Sequence, residues 1–352
     1  MSEAAAPYPA AAARPTLPSL TLRIAWRNLW RNRRRTWLTA GGIAFAILLA
    51  VASLAMQLGQ YELMRENATS MMAGHIQIQH ADYIDSDRFE DTLGSATDVV
   101  RLAAAVPGVL AVAPRVEAFA LASNGERSFG ALAVGVDIEA EAQTVTFLKF
   151  VSDGRVPEAS DEAIIGAVLA RNLGVGLNDE VVLLGSGKEG GVAAMVVRVV
   201  GLFNTGQKEL DRTMLWTDIA AVQDAFDLGD EVHTLAIRTN DLAASAQIRQ
   251  ALAAHLEREM PDSGLTVRNW DEVLTEVRQA IEIDRLGGEL FFYIIELLVV
   301  FSVVNTFIMT VFERTREFGM LLAIGMRPAS IVWLVQWEAF FVWLVGVGLG
   351  LG

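Results

Sequence analysis

The chain has 352 residues, 53% of them hydrophobic, a mean hydropathy of +0.36, and 28 basic against 42 acidic side chains for a formal net charge of −14. That acidity excludes a general nucleic-acid partner, which needs a basic face, and the apolar content excludes a disordered acidic chain. With no cysteine, disulfides, thiolate zinc sites and thiol catalysis are also excluded.

Charge and oiliness sit in different segments. Residues 1–36 hold seven Arg and one acid, whereas residues 59–289 alone carry a net −19. Residues 1–18 are Ala/Pro-rich and read as a disordered tail. Residues 19–36 read as an amphipathic interfacial helix, with Leu22, Trp26, Leu29 and Trp30 on one face and Arg23, Arg27, Arg31 and Arg34 on the other. Such a helix sits with Trp at headgroup depth and Arg on anionic lipid; the alternative is a solvated helix packed on another subunit.

Residues 37–58 contain no charge over 22 positions, enough at about 1.5 Å per residue to cross a hydrocarbon core of about 30 Å. Gly42, Ala46 and Ala50 give this first span a small-residue face for helix packing. A cleavable signal competes, since Arg34-Arg35-Thr36-Trp37-Leu38 loosely resembles a twin-arginine motif, but the apolar run continues past the candidate cleavage site at Ala52 and two more spans follow. The arginines place residues 1–36 in the cytoplasm and the acidic segment on the far side.

Residues 59–270 read as an α+β domain. Strands are expected at Gly74–His80, Ala131–Val136, Val181–Leu184, Met195–Phe203 and Val232–Ile237, and helices at Asp98–Ala105, Ala163–Leu173, Asp218–Phe226 and Leu242–Glu259. Without a steady βαβ rhythm, one or two mixed sheets with helices packed on them fit better than a doubly wound fold. Residues 271–289 read as a stalk helix continuous with a second span at 290–312, residues 313–330 as a short charged elbow, and residues 331–352 as a third span ending in paired G-x-x-x-G faces at Gly346, Gly348, Gly350 and Gly352.

Catalytic motifs fail when tested. Gly185-Ser186-Gly187-Lys188 lacks the glycine and the hydroxyl residue of a phosphate loop, with Val182 and Glu189 at those positions, and reads as a hairpin turn. His75 and His80, five apart on an alternating strand, point to opposite faces and suit structural or exposed roles better than metal ligation. His233 and His255 belong to no readable triad, and no G-x-S-x-G elbow occurs. No catalytic, cofactor or metal site is expected. Glu296 in the second span is costly in hydrocarbon unless it faces protein or water. With Ser302 and Asn305 as polar companions, it reads either as part of an intramembrane cavity or dimer seam, or as a residue near the outer interface.

The most specific pattern is Asn305-Thr306 followed by Glu313-Arg314-Thr315-Arg316-Glu317-Phe318-Gly319-Met320-Leu321-Leu322-Ala323-Ile324-Gly325. As a short amphipathic helix it offers Phe318, Leu321, Leu322 and Ile324 to an apolar groove, Arg314, Arg316 and Glu317 for polar anchoring, and Gly319 and Gly325 for close approach and termination. Here the chain resembles the permeases of the MacB, LolC/LolE and FtsX group of ABC transporters. Gly74-His75-Ile76-Gln77-Ile78 is similar to the first strand of LolC/LolE-like periplasmic domains, and the stretch from Val199 to Ala221 resembles the end of a MacB-type core. The resemblance covers about residues 20–352. It implies an α-helical bacterial inner-membrane protein with an inserted α+β periplasmic domain of the MacB-like core type. The elbow, with Glu313, Arg314, Arg316, Glu317, Phe318, Gly319, Leu321, Leu322 and Gly325, would dock on a separate ATPase that uses ATP and Mg. A second permease subunit, identical or related, and membrane lipids are implied as partners, with a lipoprotein cargo or a periplasmic adaptor. A LolC/LolE-like role in lipoprotein release is the leading expectation; MacB-like efflux and an FtsX-like scaffold for a cell-wall hydrolase are the alternatives. The family has a fourth span, absent here where the sequence ends inside or just after the third, which implies either a fragment or an unusually assembled dimer.

Overall fold

The computed structural model describes residues 17–83, 88–261 and 263–352, so the tail expected at residues 1–16 lies outside the described residues. The chain divides into two compact units: one formed by residues up to Tyr61 together with Glu282–Gly352, the other by Glu62–Ile281.

In the first unit, α1 (Leu17–Arg31) is separated by Asn32 from α2 (Arg33–Ala68). Residues 17 and 18 are therefore helical, not tail. The Thr36 hydroxyl donates back to the Leu29 carbonyl at 2.7 Å, which satisfies an acceptor that the break would strand. The inward arc of α1 is Thr21, Ala25 and Leu29, all buried, and it packs along the last helix of the chain. Among the described residues three helices are long and apolar enough to cross a membrane: Arg33–Ala73, Thr275–Glu313 and Pro328–Leu351.

The third of these packs on the first through glycine. A Cβ on Gly346 would lie 2.8 Å from the Ile43 Cβ and 3.0 Å from the Ala40 carbonyl oxygen, and one on Gly350 would lie 2.9 Å from the Ile47 Cβ. The seam on the first span thus runs along Ala40, Ile43 and Ile47. Gly42, on the face expected from its small residues, has open space beside it. Small size alone did not identify the seam, because Gly346 and Gly350 supply the space and leave room for the isoleucines opposite.

The second unit is built on a mixed ten-stranded sheet in the order β10-β1-β9-β2-β3-β8-β5-β7-β4, with β6 pairing with both β2 and β7. The strands are β1 Ile76–His80, β2 Val109–Ser123, β3 Ser128–Val136, β4 Val151–Gly154, β5 Glu162–Gly166, β6 Glu180–Ser186, β7 Val192–Phe203, β8 Met214–Asp218, β9 Thr234–Thr239 and β10 Leu265–Asn269, and the helices among them are α3 Ala96–Ala104, α4 Ile138–Thr144, α5 Ala167–Leu173, α6 Lys208–Thr213, α7 Ile219–Ala225, α8 Ser245–Glu259 and α9 Trp270–Val273. Because β6 bridges β2 and β7, strands β2, β3, β8, β5, β7 and β6 close a ring of pairings.

Five strands, β2, β4, β5, β8 and β10, lie outside the strand segments expected from the sequence. Residues 163–166 belong to β5, not to a helix; all five β5 residues are buried, so after Glu162 the run Ala163–Gly166 shows no alternation, and the helix is confined to Ala167–Leu173. The 15-residue β2 hides its period because Ala118, Ala120 and Ala122 point inward while Phe119 and Leu121 face out; alanine is a helix former with little apolar signal.

Strand alternation gives β8 a role in two cores. Leu215 joins the main one with Ile76, Ile165, Leu183 and Phe226, and Trp216 joins a second with Phe147, Phe203 and Ile164. Phe147 stacks on Trp216 at 3.9 Å. Full burial of such a ring contributes about 2–3 kcal/mol over exposure. Beside them, Arg115 and Glu141 form a fully buried bidentate pair at 2.6 and 3.1 Å, with the guanidinium 5.7 Å from the Trp216 ring centroid.

Candidate functional site

The second long helix, α10 (Thr275–Glu313), begins after a break at Leu274, four residues later than the continuous pattern from Asp271 suggests. It ends where Arg314 leaves the helical conformation, and the elbow helix α11 (Thr315–Ala323) follows directly. Gly325 at φ +97° stops α11 in a backbone region open to glycine, and Pro328 opens α12 (Pro328–Leu351) with its preset φ. The sequence therefore fixes a helix–elbow–helix turn by ordinary capping chemistry.

Three carboxylates hold this elbow in place. Glu338, only 6% exposed, accepts two contacts from Arg314 Nη1 at 2.9 Å and one from Asn28 Nδ2 at 2.6 Å. Arg314 Nε donates to Glu317 at 2.8 Å, and the same carboxylate takes Arg31 Nη2 on both oxygens at 2.8 Å. Arg35 Nη1 reaches Glu313 at 3.2 Å. The network ties the elbow, from Glu313 through Glu317, to α1, to the start of α2 and to α12. The Arg31 and Arg314 guanidiniums hold the Glu317 carboxyl below its usual range. Between Glu338, Asn28, Thr36, Thr306 and Thr310 lies a polar cavity of about 30 Å³, room for about one water molecule.

This geometry divides the predicted elbow residues. Arg314 and Phe318 are buried, with the Arg314 guanidinium 5.3 Å from the Phe318 ring centroid, and Glu313 and Glu317 are held in ion pairs. Phe318 thus faces inward rather than toward an external groove, because its position is one turn after Arg314 on the anchored side. Arg316, Gly319, Leu322 and Gly325 are exposed and Leu321 is half-buried. Met320 at 63% and Ile324 at 84% exposure are the most prominent apolar groups of the outer face. The sequence reading missed Glu338 and Asn28. The available signal was a single carboxylate within an otherwise apolar 24-residue helix.

Glu296 lines a groove of about 480 Å³ with Ile43, Ala46, Ile47, Ala50, Phe292 and Trp343 among its walls. Ser302 and Asn305 are exposed elsewhere on α10. Asn305 lies nine residues on, about half a turn around the helix at roughly 100° per residue, so the structure does not gather the three polar groups. Of the interfacial residues, Arg23, Trp26, Arg27, Trp30 and Arg34 are exposed, while Arg31 is engaged by Glu317.

Among the described residues, the groups singled out in the second unit are held in structural contacts. Lys188 pairs with Glu231, and its loop is the turn of the β6–β7 hairpin, closed by Gly187 N–H to the Gly191 carbonyl at 2.8 Å. His233 is fully buried: its Nδ1 accepts the Glu117 N–H at 3.1 Å, which leaves Nε2–H to donate to the Phe89 carbonyl at 2.9 Å. Burial pushes its pKa down, so the ring is held neutral. His75 Nδ1 contacts the Thr239 hydroxyl at 2.7 Å. Among the described residues no group of three or more His, Asp or Glu is placed to hold a metal ion.

The MacB-like periplasmic core domain family matches residues 36–255, and the FtsX-like permease C-terminal family matches residues 289–352. The lipoprotein-releasing system transmembrane protein LolC of Neisseria meningitidis serogroup B is 25% identical over 327 residues, covering 90% of this chain and 76% of that protein. The macrolide export ATP-binding/permease protein MacB of Vibrio parahaemolyticus is 24% identical over 345 residues, covering 94% of this chain and 51% of that protein. The periplasmic region of MacB from Actinobacillus actinomycetemcomitans superposes with a TM-score of 0.45 at 13% identity, over 62% of this chain and 95% of that one. With a MacB-like core matched over more than half its length and an FtsX-like segment after it, this chain belongs to the MacB/FtsX/LolC family of ABC transporter permeases.

Proposed function

We propose that this chain is the non-catalytic permease subunit of an ATP-driven transporter in a bacterial inner membrane, paired with a second permease subunit and worked by a separate ATPase that uses ATP and Mg. The observation that carries the reading is the elbow, a short helix anchored on one side by Arg314, Phe318 and Glu317 and presenting Met320, Leu322, Ala323 and Ile324 on the other. An anchored helix with an apolar outer face suits docking into a groove of a partner and transmits force, because the buried ion pairs resist its rotation. Helix α10, at about 58 Å for 39 residues, is about twice a hydrocarbon core. In this reading its first half is a stalk that carries elbow movement to the acidic domain as a rigid-body change.

Release of lipoproteins toward the outer membrane is the favoured cargo role, supported by the LolC relative, which this chain matches over 90% of its own length. Export of a small hydrophobic compound is the second reading, supported by the MacB relative.

Purification from bacterial membranes with identification of the co-purifying chains tests both levels. An ABC-type ATPase should be recovered with the wild-type chain and lost with Met320→Asp/Ile324→Asp, while membrane insertion is retained. Recovery of no ATPase with the wild-type chain overturns the transporter reading, and undiminished recovery with the variant overturns the docking face. A co-purifying acylated protein supports the first cargo, and a periplasmic adaptor without one supports the second.

A further inference from the structure

We infer that the outward arc of α1 and its junction with α2 form a binding face for anionic phospholipid headgroups. At about 100° per residue, the residues of α1 fall around the helix in the order Trp26, Trp30, Arg23, Arg27, Arg31, then Asn28, Thr21, Ala25 and Leu29. The second group faces protein: Thr21, Ala25 and Leu29 are buried, and Asn28 donates to Glu338. Trp26 meets Phe341 of α12 edge-on at 5.3 Å. The helix therefore has a fixed roll, and its remaining arc of roughly 140° is presented outward by packing rather than by chance.

The arginines are sorted by the same packing. Arg31 and Arg35 are neutralised by Glu317 and Glu313. Arg23, Arg27, Arg33 and Arg34 are exposed, and among the described residues none has an ion-pair partner. The carboxylates of the neighbouring elbow are already engaged, so four guanidiniums remain for an external anion. Guanidinium forks match a phosphodiester in a bidentate way. Trp30, 37% exposed and lying between Trp26 and Arg23 on the arc, supplies the amphipathic ring that favours headgroup depth. A zwitterionic headgroup would leave these charges uncompensated, whereas an anionic lipid satisfies them. The inference is independent of cargo and of the ATPase.

The test reconstitutes the full chain in phosphatidylcholine vesicles containing either brominated phosphatidylglycerol or brominated phosphatidylcholine. The Trp30 contribution is read as the difference in quenched emission between the wild type and Trp30→Phe. Brominated phosphatidylglycerol should quench Trp30 more strongly, and the preference should fall roughly fivefold for each arginine removed in the series Arg23→Gln, Arg27→Gln, Arg33→Gln, Arg34→Gln. In the wild-type chain about 1 M salt, with a Debye length of about 3 Å, should also abolish the preference, which needs no variant to fold. Equal quenching by the two brominated lipids, a salt-insensitive preference, or a preference kept by the fourfold variant would each overturn the inference. Binding by an acidic partner protein instead would show as equal quenching.

Discussion

Truncating Glu338 to alanine removes the acceptor on which the elbow is hung. The carboxylate takes Arg314 Nη1 at 2.9 Å on both oxygens and Asn28 at 2.6 Å, with both charged partners less than a tenth exposed. Breaking a buried pair from one side costs about 3–5 kcal/mol, because the remaining charge stays buried and unpaired. Here Arg314 keeps Glu317 at 2.8 Å, but that side chain is 41% exposed and compensates weakly, so the cost falls near the lower end, about 3 kcal/mol. At about 2–4 °C per kcal/mol, the unfolding midpoint of the detergent-solubilised chain should drop by roughly 6 °C or more. Glu338→Gln, which keeps the volume and an acceptor for Asn28, should lose less, about 1–2 kcal/mol. Arg314→Met/Glu338→Met, which removes both charges and fills the space, should return to within about 1 kcal/mol of the wild type. Thermal unfolding followed by tryptophan fluorescence reads all three. If Glu338→Ala melts within about 1 °C of the wild type, the pair does not hold the elbow; if the double methionine variant melts as low as the alanine variant, the loss is one of packing and not of an orphaned charge.

Two further predictions concern groups away from the elbow. Glu162, 3% exposed, is bound by Arg155 at 2.5 and 2.6 Å, by the Glu158 N–H at 3.0 Å and by Arg198 at 3.1 Å, and chiefly the Arg155 hydrogen bonds hold its pKa down at about 2 against an ordinary 4.5. A carboxyl with a depressed folded pKa contributes stability above the unfolded value and loses it as pH falls toward the folded one. The urea midpoint of the wild type should therefore fall between about pH 4.5 and pH 2 more steeply than that of Glu162→Gln, and parallel curves would refute the assignment. In the membrane unit, Gly346→Leu should collide with Ile43 and the Ala40 carbonyl, whose atoms already lie 2.8–3.0 Å from the position of a Cβ, and lower thermal stability by about 1–3 kcal/mol. Ile43→Ala in the same chain should recover part of the loss, and no recovery would place the seam elsewhere.

Much of this protein was legible in its sequence because the relevant signals are local. Twenty-two uncharged residues, a run of arginines and a helix-length apolar tail announce membrane spans through the cost of placing charge in hydrocarbon. The elbow declares itself by a fixed order of charged, apolar and glycine residues within one short segment. Strands such as β6 and β7 show a half-buried surface directly. β5 and β2 do not, since β5 is buried on both faces and β2 turns alanine inward.

Only the tertiary structure decided which charges meet. Asn28 and Glu338 are 310 positions apart, and Arg31 and Glu317 are 286 apart; no periodicity encodes such pairings. Glu296 and Glu338 look equally anomalous as carboxylates in apolar helices. Packing makes the difference: α12 seats on α1 and brings Glu338 to Arg314, while Glu296 is left in an open groove. The same packing pairs Arg31 and Arg35 with Glu317 and Glu313 and leaves Arg23, Arg27, Arg33 and Arg34 exposed, so composition fixes how many arginines this segment holds and helix contacts fix which of them are paired.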